Sequence, residues 1–156
     1  MIYVFDSSSF RVINHYFPER FPSFWKLLDE YVLKGQIISV REVYNELERQ
    51  GIKPYLKTWV KVNKKIFLEP NEEEGIFIRE IFTISHFKNL IGNKQILNGR
   101  PNADPFVISS ARIKKACVVT EESKMPNAAR IPNICEHFKI DCIDIEGFME
   151  RESWEF

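Results

Sequence analysis

Met1-Ile2-Tyr3-Val4-Phe5-Asp6-Ser7-Ser8-Ser9-Phe10 decides how this chain is read. Ile2 to Phe5 is an unbroken apolar run rich in β-formers, and it stops at an acid followed by three serines. A short apolar run bounded by turn residues reads as a buried strand. Strands buried on both faces belong to parallel sheets covered by helices. Asp6 then stands at a strand's carboxyl end, on the edge of an α/β sheet where ligands bind.

The rest of the chain repeats the alternation of strand and helix. From Pro22 to Lys34, Phe24, Leu27, Leu28, Tyr31 and Val32 recur at helical spacing, with Gly35 as the stop. Ile37 to Val40 predicts a second strand, feeding a helix whose apolar face is Val40, Val43, Tyr44 and Leu47. Pro54 to Lys65 predicts a helix with Tyr55, Trp59 and Val62 inward and Lys57, Lys61, Lys64 and Lys65 in solvent. Ile66 to Leu68 reads as a brief strand. Asn71 with Glu72, Glu73 and Glu74 suits the positive end of the next helix, which continues through Ile78, Ile81, Phe82 and Ser85. Asn89 to Asn102 reads as a polar connection. Asp104-Pro105 predicts an N-cap followed by Pro at the first helical position. Ala116 to Thr120 is a further strand, stopping at Glu121-Glu122-Ser123. A short helix near 133–138, a last strand over Ile140 to Ile145 and a final helix complete the pattern. The expected fold class is α/β, a three-layer α/β/α sandwich around a mainly parallel sheet.

A length of 156 residues suits one domain with one core, and 44% hydrophobic residues with 13 Phe and 3 Trp argue against disorder. The 22 basic and 22 acidic residues balance to zero, so nucleic-acid binding has to rely on local patches rather than a basic coat. The odd count of cysteines (Cys117, Cys135, Cys142) points to a reducing compartment. No basic segment precedes the first apolar run, and no stretch approaches the roughly 20 apolar residues of a membrane span. A soluble, cytoplasmic protein is expected.

The acids fall where the fold would gather them. Asp6 and Glu122 follow apolar strands directly, Asp104 opens a helix, and Glu46 lies beside the apolar face of the helix after the second strand. Carboxylates crowded at one edge repel one another, and burial raises their pKa values unless a cation neutralises them. A hard divalent ion, bound by oxygens and keeping several waters, relieves that strain. It can also activate water against a phosphodiester, so no nucleophilic side chain is required. The chain has no Gly-x-Ser-x-Gly and no Cys–His pair at a credible spacing.

At these residues the sequence resembles the PIN-domain ribonucleases. Val4-Phe5-Asp6-Ser7-Ser8-Ser9-Phe10 is similar to the family's opening strand, acid and small hydroxyl residue. Val43-Tyr44-Asn45-Glu46-Leu47 resembles its Glu-Leu helix, and Ala103-Asp104-Pro105 through Ala111 its third acidic segment. Val118-Val119-Thr120-Glu121-Glu122 resembles its final acidic strand, with Glu122 where Asp is usual. The four segments occur in family order over nearly the whole chain. The resemblance implies cleavage of RNA with Mg²⁺ or Mn²⁺, a site of Asp6, Glu46, Asp104 and Glu122, and frequent homodimers. Many small members are toxins neutralised by an antitoxin protein. The long region from Pro54 to Asn102 resembles a stand-alone subgroup of poorly characterised function.

Blander readings stand beside these. Asp6 and Asp104 can serve as caps alone. Glu42 lies one turn from Glu46 on the same side and is the less favoured acid there, as Glu121 is beside Glu122. Ser7 and Thr120 are expected to orient the carboxylates, although turn chemistry explains Ser7 equally well. Cys135-Glu136-His137 lacks the second pair that a zinc site needs. A catalytically weak PIN-fold module binding RNA or protein is the main functional alternative. Phosphoryl chemistry on another Mg²⁺-binding α/β fold ranks last, since Ser8 stands where a phosphatase of that kind needs a second Asp.

Overall fold

The computed structural model describes residues 1–98 and 102–156. Its centre is a five-stranded sheet of β1 (Tyr3–Phe5), β2 (Ile37–Val40), β3 (Phe67–Leu68), β4 (Cys117–Val119) and β5 (Cys142–Ile143). The spatial order is β3-β2-β1-β4-β5, and every pairing is parallel. Parallel neighbours require crossovers, and the helices supply them. These are α1 (Ser7–Ile13), α2 (Pro22–Leu33), α3 (Arg41–Arg49), α4 (Pro54–Val62), α5 (Glu72–Thr83), α6 (Ser85–Asn98), α7 (Asp104–Lys114), α8 (Ile131–Phe138) and α9 (Ile145–Arg151). The expected α/β fold with a parallel sheet is the one observed.

β1 is the central strand, and its three residues are wholly buried. Tyr3 pairs with Cys117 on one side and with Ile37 on the other, so the carboxyl ends of β1, β2 and β4 are level. Phe10, Phe24, Leu28, Leu47, Ile108 and Phe148 pack around this sheet, which fixes the edge against which the acids are set. Hydroxyls tie that edge further: Ser9 Oγ donates to the Val119 carbonyl at 2.8 Å, and Ser39 Oγ to the Phe5 carbonyl at 2.6 Å.

Several local expectations are corrected. The three serines do not merely turn; Ser7 starts α1, because Asp6 stays extended and the next residues enter the helix without a break. In α4 the buried residues are Leu56, Trp59 and Val60, while Val62 is 74% exposed and Tyr55 is half-buried. A helix of nine residues has too few turns for its apolar face to be fixed by spacing alone. The lysines at 57, 61, 64 and 65 are exposed, as expected. Ser85 does not extend α5 but starts α6, which runs to Asn98 through much of the stretch read as a connection; 99–101 lie outside the described residues. Asp104 is the first helical residue rather than the cap, and Ala103 holds the cap position. Asn102 Oδ1 instead accepts from the Asp104 N–H at 3.2 Å. No helix among the described residues is long and apolar enough to cross a membrane.

Candidate functional site

Asp6 sits where β1 gives way to α1, on the central strand and 3% exposed. Its side chain does not cap α1. Two hydroxyls converge on its Oδ2 instead, Ser8 Oγ at 2.8 Å and Thr120 Oγ1 at 3.1 Å. The two hydroxyl oxygens are 3.2 Å apart, so the loops after β1 and β4 are joined through the carboxylate. A carboxylate held by two donors keeps one rotamer and one face toward the sheet edge.

Glu46 approaches from the β2 side. Its half-buried carboxylate takes a hydrogen bond from Ser7 and, through Oε1, a long one of 3.4 Å from the Ala103 N–H. Burial holds its pKa above the usual glutamate range, and the negative charge of Asp6 adds to the rise. The Ser7 and Ala103 donors and the Arg11 charge oppose that shift without cancelling it. Glu46 thus touches the residue immediately before Asp104, which is itself buried at the start of α7. Asn102 Nδ2 donates to Asp104 Oδ2 at 3.4 Å. Asp6, Glu46 and the start of α7 are therefore brought to one edge.

The acids after β4 are used differently. Glu122 Oε2 accepts from the Ile131 N–H at 2.9 Å, at the start of α8, and Glu121 Oε1 accepts from the Ile145 N–H at 2.8 Å, at the start of α9. Glu122 also lines a cavity of about 330 Å³ with Thr120, Lys124, Cys142 and Asp144, on the β5 side of the sheet and away from Glu46. Glu42 is 7% exposed in the first turn of α3; Arg41 Nη2 donates to its Oε1 at 2.9 Å, and its Oε2 has no partner. Among the described residues, no three of His, Cys, Asp and Glu stand close enough together to hold a metal ion. All the acids of the edge offer oxygen, the donor that a hard cation takes.

Ser8 and Asn102 are the site residues that the sequence reading passed over. Ser7 and Thr120 were the expected orienting hydroxyls; Thr120 contacts Asp6, while Ser7 serves Glu46 and Ser8 serves Asp6. The run of three serines carried the signal, and the helical turn that begins at Ser7 divides their roles. Asn102, two residues before Asp104, is a recognisable turn-forming spacing.

Comparison with known proteins adds the fold's relatives. No curated protein matches the sequence. A solved structure similar to this one is a chain of the VapBC2 complex from Rickettsia felis, bound to a DNA fragment from their promoter. The match covers 92% of this chain and 98% of that chain, with a TM-score of 0.51 and 14% identity. At that identity the likeness is one of fold, and it agrees with the PIN-like architecture expected from the sequence. A family model described as a domain of unknown function, DUF4411, matches residues 3–156. The chain belongs to the DUF4411 family.

Proposed function

We propose that the protein is a metal-dependent endoribonuclease that hydrolyses RNA phosphodiester bonds with water, in the cytoplasm. The observation that carries this reading is the placing of Glu46 beside Asp6 at the carboxyl edge of the parallel sheet, where burial and, after it, the charge of Asp6 raise the Glu46 pKa. Carboxylates perturbed by burial and a like charge cluster at functional sites. The donor chemistry fits Mg²⁺ or Mn²⁺: the groups are oxygens, and a buried carboxylate oxygen of the same edge, Glu42 Oε2, is without a partner.

Asp6, Glu46 and Asp104 would hold the ion, with Glu122 the outlying member because one of its oxygens is engaged at α8. A bound ion of this kind neutralises the carboxylates, orients the phosphodiester and acidifies water. Ser8 and Thr120 keep Asp6 Oδ2 fixed, which leaves Oδ1 outside their network. Ser7 orients Glu46, whose carboxyl is held above the usual glutamate range by burial and by the charge of Asp6. The VapBC2 likeness supports a toxin role with an antitoxin partner, and a homodimer is the assembly expected with it. Asp6→Asn is expected to abolish metal-dependent cleavage of RNA while circular dichroism and melting stay native. Undiminished cleavage by that variant, after repurification from host nucleases, would sink the proposal.

A second reading has its own observation. With Glu122 bonded to α8 and no three-acid cluster among the described residues, a PIN-fold module that binds RNA or protein without turnover is the alternative. Binding of RNA that persists in chelator, with no cleavage at any Mn²⁺ concentration, would favour it.

A further inference from the structure

We propose that Arg11 is a phosphate-binding residue of the site, holding the RNA backbone beside the carboxylates of Asp6 and Glu46. This rests on the ribonuclease reading above. Asp6 leads directly into α1, and Arg11 lies in the last turn of that helix. Ser7 and Arg11 are four residues apart, which places them on one face of α1. Ser7 donates to the Glu46 carboxylate, so this face is the one turned toward α3, and the Arg11 charge acts on the same carboxyl, drawing its pKa down. Arg11 is exposed, whereas Asp6 is buried and Glu46 is half-buried. The guanidinium therefore stands on the solvent side of the acids, where a strand of RNA would approach them.

An edge lined by carboxylates repels a phosphodiester, and a chain with 22 basic and 22 acidic residues has no general positive field to offset that repulsion. A cation placed at the acids is needed instead. Two others that follow strand ends are already engaged. Arg41, after β2, is held by Glu42 at 2.9 Å and Glu69 at 3.3 Å, and Lys124, after β4, pairs with Glu136. Among the described residues Arg11 makes no such ion pair. A guanidinium left to water keeps its donor fork for a ligand, and the fork matches two oxygens of one phosphate. The competing explanation is that Arg11 only complements the negative end of the α1 dipole, and that explanation gives it no part in RNA binding.

Fluorescence anisotropy of a labelled oligouridylate, in chelator so that the RNA stays whole, gives affinity against salt for the wild type, Arg11→Gln, Arg11→Lys and Lys139→Gln. One phosphate neutralised on a single strand contributes about 0.7 to the slope of log affinity against log salt, a factor of about five over a tenfold change in salt. Arg11→Gln is expected to lower the slope by that amount and to weaken binding about fivefold at about 0.1 M salt. Arg11→Lys should keep the slope, since the charge remains. Lys139→Gln should match the wild type, because Lys139 lies between the end of α8 and the start of β5, at the opposite edge of the sheet. Wild-type affinity and slope in Arg11→Gln overturn this inference, while the nuclease reading still stands or falls by cleavage in Asp6→Asn. An equal loss in Lys139→Gln overturns it too, since any surface cation would then serve. Absence of RNA binding by the wild type overturns the inference, and absence of cleavage in Mn²⁺ overturns the reading beneath it. Should Arg11→Gln fail to fold, the wild type answers directly: the Arg11 Nε–H resonance shifts as RNA is added. A resonance that stays still at saturating RNA refutes the assignment.

Discussion

Replacing Glu46 by Gln should stabilise the protein without metal and disable it with metal. In the folded chain the Glu46 carboxylate is opposed by burial and by the charge of Asp6, and the Ser7 and Ala103 donors only partly compensate. Gln removes the charge and keeps one acceptor oxygen. The acceptor lost is worth little, because the Ala103 contact is 3.4 Å long, and a hydrogen bond at that distance is weak. Relief of an unfavourable charge at a functional site commonly returns about 0.5–2 kcal/mol. For a chain of this size about 1 kcal/mol moves the melting temperature by about 2–4 °C. The pH dependence has a definite sign. A carboxyl whose folded pKa lies above its unfolded value binds more protons when folded, so the wild type loses stability as pH rises through that window. The advantage of Glu46→Gln is therefore full above the raised folded pKa and fades as pH falls to the ordinary glutamate value of about 4.3. Melting curves in chelator at both ends of the range test this. Mg²⁺ should reverse the order, since a ligand at a hundred times its Kd adds about 2.7 kcal/mol to the form that binds it. A Glu46→Gln protein that melts below wild type in chelator at alkaline pH, or by an amount independent of pH, refutes the reasoning.

Lys114 pairs with Glu74, which is 2% exposed, so Lys114→Met leaves a buried charge alone. Breaking such a pair costs about 3–5 kcal/mol, less up to about 1 kcal/mol from the α5 dipole; urea titration should show that loss, with most of it restored in the Glu74→Gln/Lys114→Met double variant. Lys115 and Lys139 end α7 and α8 at φ +52° and +56°. Left-handed backbone costs a residue with a Cβ roughly 1–2 kcal/mol, and glycine's extra chain entropy costs about 0.5–1. Each Lys→Gly change should thus raise stability by about 0.5–1 kcal/mol, and a fall on melting would contradict the assignment of strain. Ser8→Ala removes the 2.8 Å bond to Asp6 and is expected to lower kcat by about tenfold to a hundredfold with the fold intact; an unchanged kcat would mean that Thr120 alone orients Asp6.

That Asp6 and the start of α7 share one edge was legible because it follows from a rule of topology, whereas Glu46, in the middle of α3, rested on the family resemblance. Strand ends and helix starts of a parallel sheet lie at one edge whatever their separation in sequence. What the acids do there was not legible, because it depends on contacts across long loops. Nothing local to Glu121-Glu122 says that the first reaches α9 and the second α8. Nor could the serine run be divided without knowing that α1 begins at Ser7, which turns successive side chains by about 100°. The same uncertainty of rotation put Val62 in the core when it belongs in solvent. Pro105 was rightly read as a helix start, but the register was one residue out: the cap position falls on Ala103, and Asp104 is the first helical residue.

That last correction separates two populations of acid at the same edge. Glu122, Glu121 and Asp144 each accept a backbone N–H at the start of α8 or α9, and Asn71 does the same for α5. Asp6 at the N-cap of α1 makes no such bond, and the N-caps of α3 and α7, Val40 and Ala103, have no side-chain acceptor to make one. Those are the helices that carry or directly follow Asp6, Glu42, Glu46 and Asp104. Capping is the usual explanation for an acid at a helix start, and it accounts for the periphery of the sheet edge. It fails at the centre, where Asp6 takes hydroxyls, Glu46 is held against the repulsion of Asp6, and Glu42 keeps a buried oxygen unpaired. Burial and the charge of Asp6 both oppose the Glu46 carboxylate in the apo fold. A cation is the ligand that would relieve both, which is why melting with and without Mg²⁺ discriminates a nuclease from an inert module before any RNA is added.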